Sequence, residues 1–233
     1  MRIGCVPYGH ARPFAAGWAG REVLGDHPRG LVEKLRAGHL DLALVPLWEI
    51  LTGPGYRVMP DFAVGSCGEV RSVGVFHEKP LAACRGIRLT PHSLTSVRLW
   101  KILSAGPLAV SLPEDSAGDA RLLIGDEALT EWNRTRGEGG TDLGRAWTDW
   151  TGLPFVYALW AFRPGFQPDP AELRRLRQAW RKGIENRSDL ARDAVEREYL
   201  TRCIRYGLGD EEKKGIREFA IRSGLPSPRL DFL

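Results

Sequence analysis

Short apolar runs alternate with amphipathic stretches along most of this chain, whereas its C-terminal part is amphipathic throughout. Residues 40–45 have the apolar character of a buried strand, while residues 28–37 begin with Pro and place Leu31, Val32 and Leu35 on one helical face. Strands that alternate with helices in this way are typical of α/β domains with largely parallel sheets. We therefore predict an α/β fold that is completed by C-terminal helices.

The same patterns predict where the individual elements lie. We expect strands at residues 2–7, 40–45, 70–76, 86–89, 108–112 and 120–124, and helices at residues 28–37, 95–104, 170–186, 189–206 and 211–223, with a further helix from Glu127. Asp169, Ser188 and Asp210 are the expected N-terminal caps of the last three helices.

An economical arrangement of these elements is two α/β lobes with a cleft between them. Residues 1–85 together with residues 156–233 would form the larger lobe, and residues 86–155 the smaller one. Ligands of such folds bind in the cleft, at the carboxyl ends of strands and the amino ends of helices.

Three of the eight Trp residues, Trp147, Trp150 and Trp160, stand close together in the sequence. A rigid corner that contains Leu153 and Pro154 follows the first two, and an apolar run follows the corner. A surface loop has no use for so much aromatic area, and a plain core segment does not need the corner. We expect the segment to line a pocket, with Leu153 and Pro154 against the ligand, and then to cross back between the lobes.

The charge pattern bears on the class of partner. The net charge of +4 arises entirely in residues 163–233, where basic and acidic residues alternate along amphipathic helices. This pattern is typical of solvated helix faces and does not indicate a nucleic-acid-binding surface. No apolar run approaches the roughly 20 residues that span a bilayer, and the N-terminus lacks the pattern of an export signal. We expect a cytoplasmic protein without a membrane or nucleic-acid partner; the sequence does not indicate its oligomeric state.

The cysteines and histidines show no ligand spacing. Cys5, Cys67, Cys84 and Cys203 lie far apart without a Cys-x-x-Cys pair, so we interpret them as reduced packing residues. The five His lack the paired spacing of a metal site, and no phosphate-loop, dinucleotide or Gly-x-Ser-x-Gly motif is present. We therefore expect neither a metal nor an organic cofactor.

Three hydroxyl side chains, those of Ser93, Thr95 and Ser96, surround a predicted helix start that follows a strand. Such a start offers backbone N–H groups and the positive end of the helix dipole to an anion. A capping role for Ser93 would explain only one of the three hydroxyls. Capping and contact with a ligand therefore remain equal alternatives for this segment.

Five other residues are candidates for a ligand site. Ser66 and Ser72 belong to a Gly/Ser-rich loop that enters a strand, although a tight turn alone would explain them. His10 follows the first strand and could transfer protons near neutral pH, or could simply belong to the polar surface. Arg12, in the same loop, could bind a carboxylate or pair on the surface. Asp126 stands between a strand and a helix, where capping is the favoured role and catalysis the alternative.

These segments occur, in the same order, in the chorismate dehydratase family of the futalosine route to menaquinone, which the chain resembles over nearly its whole length. The segments that carry the resemblance are residues 2–4, Tyr8, Arg12-Pro13, 65–73, 93–97, 119–129, 142–161, 206–209, 211–216 and Phe219. Its most specific parts are Ser-x-Thr-Ser at residues 93–96 and Thr-Gly-Leu-Pro-Phe at residues 151–155. The resemblance implies a two-lobed fold similar to that of type 2 periplasmic solute-binding proteins.

The resemblance also implies a lyase that removes water from chorismate and leaves 3-[(1-carboxyvinyl)oxy]benzoate, with no cofactor. Because the substrate is a dianion, the site needs two places for carboxylates. We assign Ser93, Thr95 and Ser96 to one of them, and Ser66 and Ser72 to the other.

One position departs from the family pattern. The family usually reads Tyr-Leu-Asn-Thr-Arg-Pro after the first strand, whereas this chain has His10 in place of the functional Asn. We expect His10 to be the catalytic group, as base or as acid to the leaving hydroxyl, although a carboxylate of the substrate is an alternative base.

Two other functions stay open at the level of sequence. A non-catalytic cytosolic protein that binds small anions would keep the same cleft, and the departure at His10 is its only support. The sister enzyme, 1,4-dihydroxy-6-naphthoate synthase, is disfavoured because its Ser-Pro-Cys-Pro-Asn-Asp-like N-terminal segment is absent.

Overall fold

The computed structural model describes residues 1–18, 20–225 and 230–232, which form two compact units. Unit 1 consists of Met1–Val64 and Ala158–Leu208 together with the described C-terminal residues 230–232. Unit 2 consists of Gly65–Tyr157 and the segment that begins at Gly209.

The elements of unit 1 follow in chain order. They are β1 (Ile3–Cys5), a 3-10 helix (Gly9–Gly17), β2 (Val23–Gly25), α1 (Pro28–Arg36), β3 (Leu42–Pro46), α2 (Leu47–Thr52), most of β4 (Arg57–Ser66) and of β9 (Phe155–Phe162), α6 (Pro170–Glu185), α7 (Ala194–Glu198), a π-helical turn (Tyr199–Cys203), β10 (Arg205–Leu208) and β11 (Asp231–Phe232).

Unit 2 contains a second sheet and helices of its own. Its elements are β5 (Val73–His77), a 3-10 turn (Leu81–Ala83), β6 (Ile87–Arg88), α3 (Leu94–Ala105), β7 (Ala120–Ile124), α4 (Gly125–Thr135), β8 (Gly140–Asp142), α5 (Leu143–Thr151) and α8 (Asp210–Arg222).

The predicted α/β class is confirmed, but the two sheets are mixed rather than largely parallel. The first sheet has the order β10-β4-β9-β3-β1-β2, with β11 against β4; β1 runs parallel to β2 and β3, and β9 runs antiparallel to β3. The second sheet has the order β6-β7-β5-β8, in which β5 runs antiparallel to both of its neighbours.

The aromatic residues that the sequence assigned to a pocket lie mainly in the cores. Trp160 is fully buried in unit 1, where it packs against Phe14 and Trp180 at ring-centroid distances of 5.2 and 4.3 Å. Trp147 is fully buried in unit 2, 5.2 Å from the ring of Phe155. Apolar burial alone accounts for the position of these two Trp residues, and a pocket lined by their segment stays a prediction.

Of the predicted elements, one is absent from the described residues and another is only partly formed. Residues 108–112 form no strand, because the backbone turns back on the end of α3: Leu108 N donates to Leu103 O at 3.0 Å and Val110 N to Ser104 O at 2.9 Å. The predicted helix 189–206 is only partly formed. Arg205–Leu208 is a strand instead, whose residues are alternately exposed and buried, as a strand at a sheet edge requires.

The structure also corrects two of the three predicted caps. Asp169 caps α6 through Glu172 N at 2.7 Å, as expected. Ser188 caps nothing, because α7 begins later and is capped by Asp193. Asp210 is the first residue of α8, and the cap position belongs to Gly209.

The division into units also differs from the predicted one. The chain enters unit 2 after Val64 and leaves it after Tyr157, so β5 belongs to unit 2 and not to the predicted larger lobe. The reason is pairing: β5 is hydrogen-bonded to β7 and β8 on either side. Helix α8 belongs to unit 2 as well, where Phe219 packs 5.1 Å from Phe155.

In the part of the chain that the structure describes, no helix combines the length and the apolar character that crossing a bilayer requires.

One buried carboxylate connects three strands of the first sheet through hydrogen bonds. Asp41, at the start of β3, accepts from Arg2 N at 2.8 Å, from Arg2 Nη2 at 3.0 Å and from Arg163 Nε at 3.2 Å. Burial raises the pKa of Asp41, but the hydrogen bonds from Arg2 and Arg163 outweigh it and hold the pKa at about 2. The charged form of Asp41 therefore stabilises the fold.

We expect Asp41→Asn to lower the free energy of unfolding by about 2 kcal/mol at pH 7, since one pKa unit corresponds to about 1.4 kcal/mol. The folded-state pKa lies below the unfolded value, so the contribution is complete above the unfolded pKa of about 3.9 and is lost as the pH falls towards 2. Urea unfolding at pH 7, 5 and 3 should show a constant difference from the parent at the first two values and a smaller one at the third.

The control is Glu33→Gln, which removes an exposed carboxylate whose partner is Arg29. Exposed pairs of this kind contribute about 0–1 kcal/mol. A difference for Asp41→Asn that is no larger than that of the control would contradict the assignment.

Candidate functional site

Strand direction in the second sheet brings several chain segments to one edge. Because β5 opposes both β7 and β8, and β6 is parallel to β7, the strands β6, β7 and β8 all run in the same direction. Their carboxyl ends therefore share an edge with the start of β5, as the pairs Val73↔Ile124 and Gly74↔Asp142 record. The helices α3, α4 and α5, which follow these three strands, all start at this edge. Such an edge is where α/β folds bind ligands.

Of these three helices, only α3 starts without a carboxylate. Helix α4 carries Asp126 and Glu127 in its first turn, and α5 is capped by Asp142. Helix α3 has a neutral cap, Ser93, and no acidic residue in its first turn. Since a helix N-terminus attracts anions, α3 is electrostatically the best of the three places for an external carboxylate.

The predicted hydroxyl cluster lies at the start of α3 and is buried. Ser93, Thr95 and Ser96 are 8%, 1% and 3% exposed. Ser93 Oγ accepts from Ser96 N at 3.2 Å and lies 2.9 Å from Ser96 Oγ. The capping role predicted for Ser93 is confirmed. It accounts for one hydroxyl, and a ligand contact for Thr95 and Ser96 stays a prediction.

The loop from Gly65 to Ser72 carries the other two predicted serines. Ser66 is fully buried, and its Oγ is hydrogen-bonded to the hydroxyl of Tyr157 at 3.1 Å. Ser72 is also buried, and its backbone oxygen accepts from Gly125 N, at the start of α4, at 2.8 Å. Tyr157 was not predicted from the sequence, although it adds a phenolic donor beside Ser66.

Helix α5 contacts the backbone of this loop. Gly68 N donates to Thr148 Oγ1 at 2.8 Å, and a Cβ on Gly144 would lie 2.7 Å from Ser66 Oγ, 2.7 Å from the Tyr157 hydroxyl and 2.9 Å from Gly68 O. The first turn of α5 therefore needs glycine because the loop backbone approaches it closely. Thr148 and Gly144 were missed from the sequence. A glycine in the first turn of a helix was the one available signal, since it costs helix stability without a compensating packing gain.

The carbonyl groups of the predicted Leu153-Pro154 corner have partners within unit 2. Pro154 O accepts from Trp147 Nε1 at 3.3 Å, and Leu153 O accepts from Thr148 Oγ1 at 3.4 Å. The backbone of Gly215, in α8, packs directly on Pro154 O. The corner thus joins α5 to α8, and its contact with a ligand stays a prediction.

Asp126 does not cap α4. The cap position belongs to Ile124, and Gly125 begins the helix with a φ of 62°. Asp126 therefore lies inside the first turn, where its charge complements the helix dipole, and the capping role favoured by the sequence was wrong.

The predicted residues His10 and Arg12 belong to unit 1. His10 Nδ1 lies 3.4 Å from the hydroxyl of Tyr199, and His10 O accepts from the Tyr206 hydroxyl at 3.0 Å. Arg12 Nη1 donates to Glu196 Oε2 at 2.9 Å, and Glu196 is almost fully buried. Both side chains are thus held by aromatic or acidic partners within their own unit. Their roles toward a ligand stay predictions.

A cavity of about 830 Å³ lies at the opposite edge of the second sheet and is a different feature. It is bordered by His77, at the end of β5, and by Glu131. Arg134 and Arg121 both bind Glu131 and hold its pKa at about 2. Glu131 is thus paired with two of the arginines that line the cavity, and none of the predicted hydroxyls lines it.

No group of three or more His, Cys, Asp or Glu side chains in residues 1–18, 20–225 and 230–232 is arranged to hold a metal ion.

We expect Gly144→Ala to destabilise the protein by about 1–3 kcal/mol, because the added methyl group meets the Gly68 carbonyl and the hydroxyls of Ser66 and Tyr157. Alanine is the better helix former, so local propensity predicts the opposite sign. The measurement is thermal or urea unfolding.

The matched control is Gly207→Ala. A Cβ at Gly207 has open space, and its φ is ordinary, so the change should stay within about 0.5 kcal/mol. Equal stability of the two variants would show that α5 does not press on the loop.

The comparison with known proteins identifies the family and the fold. A family model described as menaquinone biosynthesis matches residues 1–223. The chain is 32% identical to a chorismate dehydratase of Thermus thermophilus, over 89% of this chain and 88% of that protein.

Solved structures with similar folds support the architecture. Protein AF1704 from Archaeoglobus fulgidus has a TM-score of 0.72 and 17% identity over 96% of both chains. The Candida albicans CA3427 gene product, described as having the generic periplasmic binding protein fold, has a TM-score of 0.65 and 10% identity over 99% of this chain and 92% of that one.

The predicted periplasmic-binding-protein-like fold is therefore confirmed. With a family model that spans nearly all of its residues and a relative aligned over most of its length, the chain belongs to the menaquinone-biosynthesis family.

Proposed function

We propose that this protein dehydrates chorismate to 3-[(1-carboxyvinyl)oxy]benzoate, as a carbon–oxygen lyase of the futalosine route to menaquinone. The observation that carries the proposal is the relative from Thermus thermophilus, which bears the name chorismate dehydratase and aligns over most of both chains. The buried hydroxyls at the start of α3 supply a place for the anionic substrate. The cytoplasmic location expected from the sequence is part of this proposal.

The chemistry defines what the site must do. A proton leaves the ring carbon that bears the ether, hydroxide leaves the neighbouring carbon, and together they form water. The ring becomes aromatic, which drives the reaction, and no electrons are gained or lost overall. The barrier lies in the negative charge that develops as the proton departs and that spreads through the diene into the ring carboxylate. Donors around that carboxylate therefore lower the barrier.

The start of α3 offers such donors. Thr95 and Ser96 are almost fully buried, so hydrogen bonds from their hydroxyls act in a medium with little water, where electrostatic interactions are strong. The helix dipole adds to them, and no carboxylate in the first turn opposes the substrate. We assign the ring carboxylate to this place.

The second carboxylate of chorismate is assigned to the loop that carries Ser66 and Ser72. Tyr157 supports this assignment, because it places a second hydroxyl 3.1 Å from Ser66 Oγ. Ser72 and the start of α3 lie at the same edge of the second sheet.

His10 is proposed as the group that assists proton transfer or departure of the hydroxyl. Its ring titrates near neutral pH when unperturbed, unlike the Asn that the family usually has at this position. The hydroxyl of Tyr199 orients the ring through Nδ1.

The direct test is incubation of the purified protein with chorismate, with and without a chelator, followed by detection of the benzoate product and water loss by mass spectrometry and NMR. We expect turnover in both samples, since the reaction is redox-neutral and driven by aromatisation. Binding of chorismate without product would instead support an anion-binding protein, and activity that a single metal restores after chelation would contradict the cofactor-free proposal.

We expect Thr95→Val and Ser96→Ala to lower kcat/KM by about 10²–10³, the usual cost of one lost donor to developing charge. Ser104→Ala is the matched control on the same helix, because the Ser104 hydroxyl is bonded only to Lys101 O at the far end of α3, within the described residues. Unchanged kinetics in the first two variants would show that these hydroxyls serve only the helix.

A second prediction concerns His10. We expect His10→Ala to lose most of the activity, and His10→Asn to keep part of it while losing a pH dependence centred near the unperturbed His pKa of about 6.5. The measurement is the pH profile of kcat/KM. If His10→Asn matches the parent in rate and profile, His10 only donates a hydrogen bond, and another group moves the proton.

A further inference from the structure

Asp142 makes more hydrogen bonds than a helix cap requires. Its carboxylate accepts from Arg145 N at 2.9 Å, which caps α5, and also from Val70 N at 3.0 and 3.1 Å and from Arg71 N at 2.6 Å. Val70 and Arg71 lie more than 70 positions before Asp142 in the chain. Asp142 thus joins the start of α5 to the loop that carries Ser72.

The other aspartate caps show what capping alone looks like. Asp169 accepts from Glu172 N at 2.7 Å, and Asp193 accepts from Glu196 N at 2.7 Å. Within the described residues, neither makes a hydrogen bond to a distant backbone segment. The hydrogen bonds that Asp142 accepts from Val70 and Arg71 therefore do more than cap α5.

These hydrogen bonds act on the backbone conformation of the loop. Arg71 has a φ of 60°, which non-glycine residues adopt rarely, and Ser72 N donates to Val70 O at 2.7 Å to close a three-residue turn. Strained turns of this kind persist only where surrounding groups hold them. Asp142 binds both amide groups that lead into the turn, and Gly125 N binds the Ser72 carbonyl on its far side.

Burial raises the pKa of the Asp142 carboxyl, and backbone hydrogen bonds oppose that rise. Three backbone N–H groups, from Val70, Arg71 and Arg145, surround the carboxylate, and Asp142 is only 6% exposed. Such neutral donors disperse its charge within the protein. The positive end of the α5 dipole thus binds the protein's own carboxylate, Asp142, whereas the positive end of α3 has no carboxylate.

We propose that Asp142 is a positioning residue of the reaction, which fixes the strained turn Val70–Ser72 and thereby the direction of the Ser72 hydroxyl towards a substrate carboxylate. The inference rests on the proposed function for its kinetic consequence, but not for its structural one. Asp142 itself does not contact the substrate.

The variant Asp142→Asn keeps the size of the side chain but replaces one accepting oxygen by an NH₂ group. We expect kcat/KM for chorismate to fall about ten- to hundredfold, as a displaced binding group does, with most of the change in KM. Amide hydrogen exchange at Val70 and Arg71 should become faster. The control Asp169→Asn alters an equivalent cap in unit 1 and should leave kcat/KM and exchange at residues 70–71 unchanged.

Coupling to Ser72 separates positioning from a general loss of stability. If Asp142 acts through Ser72, the combined effect of Asp142→Asn and Ser72→Ala on kcat/KM should be clearly smaller than the product of the two single effects. Arg71→Gly should restore part of the activity of Asp142→Asn, because glycine adopts a positive φ without strain. Multiplicative single effects without this rescue would overturn the proposal.

If Asp142→Asn fails to fold, Asp142→Ser replaces it, since serine caps a helix but is too short to hold the loop. A parent protein that does not convert chorismate would sink the proposed function, whereas the exchange measurement would still decide whether Asp142 holds the turn. Unchanged exchange and unchanged kcat/KM in a folded variant of an active parent would sink the positioning role alone.

Discussion

The direction of a single strand organises the second sheet. Because β5 runs against both β7 and β8, it contributes its amino end where they contribute their carboxyl ends. Three helix starts and the loop before β5 are therefore collected at one edge, although they come from chain segments that are far apart in sequence. If β5 were parallel to its neighbours, Ser72 would lie at the other edge from the start of α3. Strand direction thus brings Ser72 and the start of α3 to the same edge of the sheet.

The sequence predicted those parts of the fold that depend on local chemistry. The start of α3 and its cap Ser93 follow from residues within one turn of each other, and the start and buried face of α1 follow from Pro28 and the apolar spacing. The strand β10 was missed because it is only four residues long, and pairing with β4 determines its extended conformation. The missing strand at residues 108–112 has the same cause: the end of α3 captures its N–H groups.

The same contrast between local and long-range contacts applies to the candidate site. The hydroxyls at the start of α3 were recognised as a cluster because they are neighbours in sequence. The support of Ser66 and Ser72 was not, since Gly144, Thr148 and Tyr157 reach the loop from about 80 to 90 positions away. Neither periodicity nor composition contains such a contact. Trp147 and Trp160 show the converse: they lie in the cores, and large apolar side chains suit a core and a binding site equally well until their neighbours are known.

The distribution of the cysteines has a practical consequence for following this loop in solution. Cys67 is exposed and stands next to Ser66, whereas Cys5, Cys84 and Cys203 are buried. Burial also raises the pKa of the Cys5 and Cys84 thiols, which lowers the fraction of reactive thiolate. A thiol-directed fluorophore or spin label should therefore attach first to Cys67 in the unaltered protein. The native chain thus carries its own attachment point for a spectroscopic reporter, one residue from a proposed ligand contact, and no cysteine has to be added or removed to use it.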